Sequence, residues 1–275
     1  MRKIGILYHP LKPEAIKLAS ELGDFVRSQG VEVWSYSAWE IESERSRING
    51  TDLILTIGGD GTILRAAQVV VSGKIPIAGI NLGNLGFMTE LNINESRDGI
   101  LRLLNGEGWI DKRSILEAKF TIAGETKTYH ALNDVVIARG VIVRTVMIEA
   151  KVDGQPLTTY KADGVIVSTA TGSTGYSLAA GGPILHPAAK EIIIAPIMPH
   201  LSSNYCLVLP SSSEVELCVR TLHPASLSID GHTNISVESG FIVSIRRSHD
   251  TIRFLRIHPE NEFYNSLEKR LKGKQ

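Results

Sequence analysis

The run Gly58-Gly59-Asp60-Gly61-Thr62 sets three glycines around one acid, directly after the apolar stretch Leu53 to Ile57. Glycines let backbone N–H groups come close to a bound group, and the positive end of a following helix adds its dipole, so such a turn suits a phosphate. Asp60 is the odd residue there, because a carboxylate beside an anion is unfavourable unless it binds a metal, accepts a hydroxyl or takes a proton. The other reading is a tight strand-to-helix turn with Asp60 as a helix cap, and the motif alone leaves both open. No Gly-x-x-x-x-Gly-Lys occurs, and no glycine triple completes Gly-x-Gly-x-x-Gly, so neither the P-loop nor the dinucleotide fingerprint is present.

A second rich stretch runs from Lys161 through Asp163 and Gly164 to Thr171-Gly172-Ser173-Thr174-Gly175-Tyr176-Ser177-Leu178-Ala179. It joins a base and an acid to the apolar Val165 to Val167 and then to a loop of hydroxyls and glycines. Such a loop offers donors, acceptors and an aromatic face, which is what a nucleoside requires. A third candidate is Asn133-Asp134, an amide and a carboxylate side by side that can grip two vicinal ribose hydroxyls, although Asn-Asp pairs also mark turns.

The elements that must position these residues fall into two textures. Lys3 to Tyr8, Val31 to Tyr36, Leu53 to Ile57 and Pro76 to Asn81 read as strands. Between them, Ala15, Ile16, Ala19, Leu22 and Val26 recur at helical spacing after Pro13 and before Gly30, and Thr62 to Val71 makes another helix. That alternation predicts an α/β part with a parallel sheet, Rossmann-like but without the fingerprint, over residues 1–112. From 113 to 257 the apolar residues alternate, as in Ala118-Phe120-Ile122, Val215-Leu217-Val219 and Phe241-Val243-Ile245, with turn pairs such as Asp153-Gly154, which predicts a β-rich part. Phe263, Leu267 and Leu271 after Pro259 predict a helix within 258–275, expected to pack back on the first part. The fold class is therefore α+β overall, and a cleft between the parts is the expected binding site.

Composition removes several classes of function. Among 275 residues, 29 Lys and Arg balance 29 Asp and Glu, so no global positive field favours nucleic acid. With 43% hydrophobic and 21% charged residues the chain is that of a folded globular protein. The amino-terminal apolar run is too short for a secretion signal, and the most apolar later segment, Ile192 to Met198, contains Pro196 and is far short of a membrane span. Cys206 and Cys218 lie in apolar segments without metal-ligand spacing and read as reduced core residues of a cytoplasmic protein. Five of eight histidines, among them His9 and His258, adjoin proline and read as structural.

Taken in order, the motifs resemble the NAD kinase family. Gly58 to Thr62 is similar to its glycine-aspartate motif, Asn133-Asp134 to its asparagine-acid motif, and Asp163-Gly164 with Thr171 to Tyr176 to its long third motif. Leu82 to Phe87, Gly181 to Ile184 and Ser228-Ile229-Asp230-Gly231 also resemble family segments. The glycine-aspartate turn alone is shared with lipid and sugar kinases, whereas the ordered set is specific. One departure is Asp134, a methylene shorter than the glutamate the family often has.

The resemblance implies phosphorylation of the adenosine ribose 2′-hydroxyl of NAD, with ATP or polyphosphate as donor, magnesium or another divalent cation as cofactor, and a homo-oligomer, dimer or tetramer. It implies Asp60 as the catalytic acid or base, Asn133 and Asp134 on the ribose, and Thr174 to Ala179 on the adenine side. Lys161 and Asp163 fall on the nicotinamide side, and His232 faces the dinucleotide. Arg65, Arg144, Phe87, Thr171 and Ser173 are further expected contacts. A non-catalytic NAD(P) sensor, or a lipid or sugar kinase using the same turn, is the alternative.

Overall fold

The computed structural model describes residues 1–71, 74–83, 86–142, 144–200 and 204–272. Asn84 and Leu85 of the family-like segment Leu82 to Phe87 lie outside the described residues. The chain divides into two compact units, Met1–Lys112 with Ile252–Gln275, and Arg113–Thr251.

Uninterrupted apolar runs dictate the first unit. Strands β1 (Lys3–Tyr8), β2 (Glu32–Ser37), β3 (Leu53–Ile57) and β4 (Ile77–Asn81) pair in parallel in the order β2-β1-β3-β4, and the short β5 (Leu91–Asn92) pairs in parallel with the end of β4. Every residue of β3 and β4 is buried, as in parallel strands covered on both faces. The crossovers β1–β2 and β3–β4 are helices α1 (Pro13–Ser28) and α2 (Asp60–Val70), and α3 (Ser96–Leu104) follows β5. Helix α1 starts on Pro13, whose missing N–H costs nothing in a first turn, and buries Ala15, Ala19, Leu22 and Val26, while Ile16 stays exposed. Because β1 leads through α1 to β2 on one side and β3 leads through α2 to β4 on the other, the strand order reverses between β1 and β3.

The second unit comes from period-two patterns. Its strands are β6 (Trp109–Ile122), β7 (Glu125–Ala131), β8 (Asp134–Arg139), β9 (Val146–Val152), β10 (Gln155–Ala162) and β11 (Gly164–Ser168), then, after the single turn α4 (Tyr176–Ala179), β12 (Ile192–Ile197), β13 (Leu207–Leu209), β14 (Glu214–Arg220), β15 (Ala225–Ile229), β16 (Thr233–Val237) and β17 (Ile242–Arg256). One antiparallel sheet runs β13-β12-β11-β8-β15-β16, and another contains β10-β9-β14-β17. Alternate residues interdigitate in one core: Val135, Ile137, Val165, Val167 and Leu227 from the first sheet with Ile148, Tyr160, Leu217 and Val243 from the second. The Asp153-Gly154 pair closes the β9–β10 hairpin with φ of 51° and 77°, the left-handed pair that a two-residue turn of matching twist demands. Cys218 is buried in β14, whereas Cys206 lies just before β13 and is only part-buried; both are free thiols.

The chain returns to the first unit at the end of β17, where Phe254 pairs in parallel with Ile77 of β4, and finishes in α5 (Glu262–Lys272). Arg256 is buried there at 7% side-chain exposure, donating to Met88 O at 2.8 Å, Glu90 Oε2 at 3.1 Å and Asp111 Oδ2 at 3.2 Å. Glu90 Oε1 in turn accepts the backbone N–H groups of Ile257 and His258, both at 2.8 Å. Removing one partner of such a cluster leaves uncompensated buried charge. Arg256→Met is therefore expected to lower unfolding free energy by about 3–5 kcal/mol. Urea denaturation checks this, and a loss below about 1 kcal/mol, the scale of an exposed pair, would contradict it.

Candidate functional site

In the first unit, Asp60 is the opening residue of α2, yet its carboxylate reaches across to a loop instead of capping its own helix. Oδ2 accepts the N–H of Phe87 at 3.0 Å and Oδ1 that of Met88 at 3.2 Å. A Cβ on Gly86 would run into this carboxylate, so only glycine lets the loop close on it. The loop is gripped from its other side through two carbonyls: Arg270 of α5 donates to Gly86 O at 2.7 Å, and Arg256 holds Met88 O. Within the turn, a Cβ on Gly58 would strike the Thr62 hydroxyl. Thr62 is 1% exposed, and its Oγ1 has no hydrogen-bond partner. Gly59 is part-buried and Gly61 exposed, Arg65 lies 4.5 Å over the Trp39 ring, and Phe87 is buried with the Arg270 guanidinium 6.0 Å from its ring centre.

In the second unit the organising group is Asp230, which the sequence reading placed only in a family-like segment. Its carboxylate accepts the backbone N–H groups of Leu132 at 2.8 Å, Asn133 at 2.7 Å and Asp134 at 3.1 Å, and its own N–H donates to Asp134 O at 3.0 Å. Asp230 and Gly231 adopt φ of 48° and 73° at the β15–β16 turn, which delivers the carboxylate to the start of β8. Burial raises the Asp230 pKa, opposed by those three N–H bonds. Asp134, 6% exposed beside it, is pushed up to about 7, by burial first and by the Asp230 charge second. A carboxyl balanced between its two forms near neutrality can donate to one hydroxyl and accept from another. Asn133 Oδ1 is buried without a partner.

The hydroxyl-rich stretch largely satisfies itself. Thr169 Oγ1 donates to Leu132 O at 2.6 Å and accepts the Gly172 N–H at 3.0 Å, Ser173 Oγ donates to Ala170 O at 2.6 Å, and Thr174 Oγ1 donates to Thr171 O at 3.3 Å. Thr171 Oγ1 accepts from Arg113 at 3.3 Å. A Cβ on Gly172 would collide with the Asn133 carbonyl, so this loop folds directly onto Asn133, with Gly175 3.5 Å from Asn133 Nδ2 when a Cβ is placed on it. Of α4, Tyr176 and Ala179 are exposed, Leu178 is part-buried, and Ser177 is buried with an unpartnered hydroxyl. Asp163 pairs with Arg139 at 3.3 Å, Lys161 is exposed on β10, and Arg144 is exposed on the β8–β9 loop. His232 places Nδ1 3.4 Å from Asp230 O and leaves a buried Nε2 without a partner.

A cavity of about 420 Å³ gathers Asn133, Asp134 and Tyr176 with Arg139, Ser226, Ser228, Asp230 and Asn234, a size suited to a small-molecule ligand. The serines and Arg139 are absent from the sequence-based site. Their signal was present: Ser226 and Ser228 alternate with buried Ala225, Leu227 and Ile229, so they form the polar face of β15. Among the described residues no group of three or more His, Cys, Asp or Glu could hold a metal ion, and no helix is long and apolar enough to cross a membrane.

The α/β unit holds an acid in a glycine turn, the β-rich unit encloses a polar cavity, and both match a family of phosphotransferases. Residues 16–108 match the ATP-NAD kinase N-terminal domain and residues 132–257 the ATP-NAD kinase C-terminal domain. The chain is 50% identical over 274 residues to the NAD kinase of Dehalococcoides mccartyi, covering 99% of this chain and 96% of that one. It is 40% identical over 273 residues to the NAD kinase of Chloroflexus aurantiacus, covering 99% of each. The chain belongs to the NAD kinase family. Its fold is shared with yeast NADH kinase complexed with NADH (TM-score 0.84, 24% identity, 99% of this chain and 88% of that one). It is also shared with an NAD kinase from Archaeoglobus fulgidus in complex with ATP (TM-score 0.80, 23% identity, 98% of each).

The raised pKa of Asp134 makes stability depend on pH with a definite sign. Between its ordinary value of 3.8 and about 7, folded Asp134 keeps a proton that the unfolded chain has lost, so its contribution is greatest below pH 3.8 and disappears as pH rises through about 7. Asp134→Asn removes that slope. Urea unfolding of both proteins across this window should show the variant gaining on the wild type by on the order of a few kcal/mol. Parallel stability curves would contradict a buried, protonated Asp134.

Proposed function

We propose that this chain transfers the terminal phosphoryl group of ATP to the 2′-hydroxyl of the adenosine ribose of NAD, giving NADP. The observation that carries this reading is the Asp60 carboxylate, fixed by two backbone N–H groups at the head of the glycine turn in a chain that belongs to the NAD kinase family. Each Asp60 oxygen accepts one N–H and keeps lone-pair capacity for a substrate hydroxyl. In the transfer, the sugar oxygen bonds to the γ-phosphorus as the bond to the bridging oxygen breaks, and Asp60 takes the hydroxyl proton late, while positioning and charge stabilisation lower most of the barrier. Asn133 Oδ1 and the Asp134 carboxyl hold the ribose hydroxyls. Tyr176 and the turn around it take the adenine side, Asp163 and Lys161 the nicotinamide side, and the free Nε2 of His232 a dinucleotide oxygen.

Among the described residues no cluster of acids or histidines forms a cage for a metal, so a magnesium ion would be carried mainly by the donor's phosphates and water, with Asp60 as the carboxylate at the glycine turn. Such an ion would neutralise phosphate charge. Polyphosphate as an alternative donor, a cytoplasmic location and a homo-oligomer, dimer or tetramer, belong to the same reading. Two free thiols support the location.

The direct experiment supplies NAD and magnesium with either ATP or polyphosphate and detects NADP through an NADP-specific dehydrogenase. Failure with both donors would sink the reading. The role of Asp60 is tested by Asp60→Asn, which keeps size and one acceptor oxygen but loses charge and basicity. Turnover should fall roughly 10²- to 10⁴-fold with NAD affinity retained, while the melting temperature drops only by the cost of losing one of the two N–H bonds to the carboxylate. Turnover near that of the wild type, or unfolding that accounts for the loss, would return Asp60 to a purely structural role.

A further inference from the structure

The N–H groups that hold Asp60 belong to peptides that are themselves held from the far side. Gly86 O and Phe87 N–H are the two poles of one planar trans peptide, so they point in opposite directions. The N–H pole donates to Asp60 Oδ2 at 3.0 Å, and the carbonyl pole accepts from Arg270 Nη1 at 2.7 Å. This peptide is therefore clamped between a carboxylate and a cation that comes from α5, 184 residues away along the chain. A cation on the carbonyl also polarises the peptide and strengthens its N–H as a donor.

Glycine makes the clamp necessary. The Asp60 Oδ1 stands 2.2 Å from where a Cβ on residue 86 would be, so the residue must be Gly, and Gly lets the peptide after it rotate freely. A half-turn of that peptide would set the Gly86 carbonyl against the Asp60 carboxylate. The two arginines on this loop are not alike. Arg256 holds Met88 O, in the next peptide but one, and its charge is neutralised by Glu90 at 3.1 Å and Asp111 at 3.2 Å, which makes it part of the buried cluster that stabilises the fold. Arg270 forms no ion pair among the described residues, and its Nε is buried without a partner. Stability alone is a weak reason for an arginine that leaves one N–H buried and unpaired to hold one carbonyl, and departures of that kind gather at functional sites.

We propose that Arg270 is a positioning residue for the phosphoryl transfer: from the last turn of α5 it fixes the Gly86–Phe87 peptide, which in turn aims the Asp60 carboxylate at the acceptor hydroxyl. Arg270 does not touch the reacting atoms and acts through Asp60, so the assignment rests on the kinase reading above. It gives the C-terminal helix, which its apolar spacing marks only as a packing element, a part in turnover.

The test combines steady-state kinetics with amide hydrogen exchange on the full chain and its Arg270→Ala, Arg270→Lys and Lys269→Ala variants, with Arg270→Ala also placed in the Asp60→Asn background. Lys269, exposed in the same turn of α5, is the control for surface charge. Arg270→Ala should lower kcat about 10- to 100-fold, within the cost of misplacing a catalytic group by about 1 Å, while the KM for NAD stays at the wild-type value. Its melting temperature should fall only by the loss of one hydrogen bond, because Gly86 is part-buried and water can reach its carbonyl. Arg270→Lys keeps a cationic donor and should recover most of the loss. In the Asp60→Asn background Arg270→Ala should cost little more, since both changes act through one carboxylate. The Phe87 amide should exchange about 10-fold or more faster in Arg270→Ala, with the amides of β1 unchanged. Wild-type kcat in Arg270→Ala, unfolding that accounts for its loss, an equal loss in Lys269→Ala, the same fold-loss repeated in the Asp60→Asn background, or unchanged exchange at Phe87 would each overturn the proposal. If the wild type forms no NADP, the kinase reading fails and takes the role in transfer with it, whereas the Phe87 exchange still decides whether Arg270 holds the peptide that orients Asp60.

Discussion

A buried carboxylate surrounded by backbone N–H groups is the interaction on which the β-rich unit's site depends. Asp230 takes three such bonds from consecutive residues, Leu132, Asn133 and Asp134, and so fixes the backbone where β8 begins. Asn133 O then receives the Thr169 N–H and the Ser168 hydroxyl, which brings the loop after β11 onto the same spot. Burial first and the Asp230 charge second raise the Asp134 pKa, so the residue that fixes this backbone also contributes to the protonation of the neighbouring acid. A buried acid without those N–H bonds would be strongly unfavourable, which is why the turn at Asp230-Gly231 and the start of β8 must form together.

The α/β unit uses the same device. Asp60 is held by the N–H groups of Phe87 and Met88, and two arginines from the last part of the chain grip the carbonyls of that loop. Glycine is required at each close approach: Gly86 against the Asp60 carboxylate, Gly172 against the Asn133 carbonyl. In both units a carboxylate is oriented by main-chain N–H groups, those of Phe87 and Met88 for Asp60 and those of Leu132, Asn133 and Asp134 for Asp230.

Much of this was legible in the sequence for definite physical reasons. Parallel strands buried on both faces read as unbroken apolar runs, so Lys3–Tyr8 and Leu53–Ile57 stand where the hydropathy puts them, and Asp153-Gly154 marks a hairpin because few other residues tolerate its dihedrals. The ordered motifs pointed to the family to which the chain belongs. What the sequence did not disclose were contacts between distant segments: Asp230 with residues 132–134, 96 or more positions away, and Arg256 with Glu90, 166 away. Nor could composition tell that most hydroxyls of residues 169–174 bond within the chain. Ser, Thr and Gly look alike whether they face a ligand or close a loop, and only packing separates the two.

We propose that main chain held by Asp230 presents Asn133 and Asp134 to the nucleotide. The most direct measurement is calorimetric titration of NAD into Asp230→Asn. The carboxamide keeps one acceptor oxygen and turns N–H donors toward the backbone N–H groups, so the cradle loses at least one bond. NAD affinity should fall by roughly 10-fold or more in a protein that remains folded, in line with the cost of leaving buried donors unsatisfied. An affinity equal to that of the wild type would contradict the account.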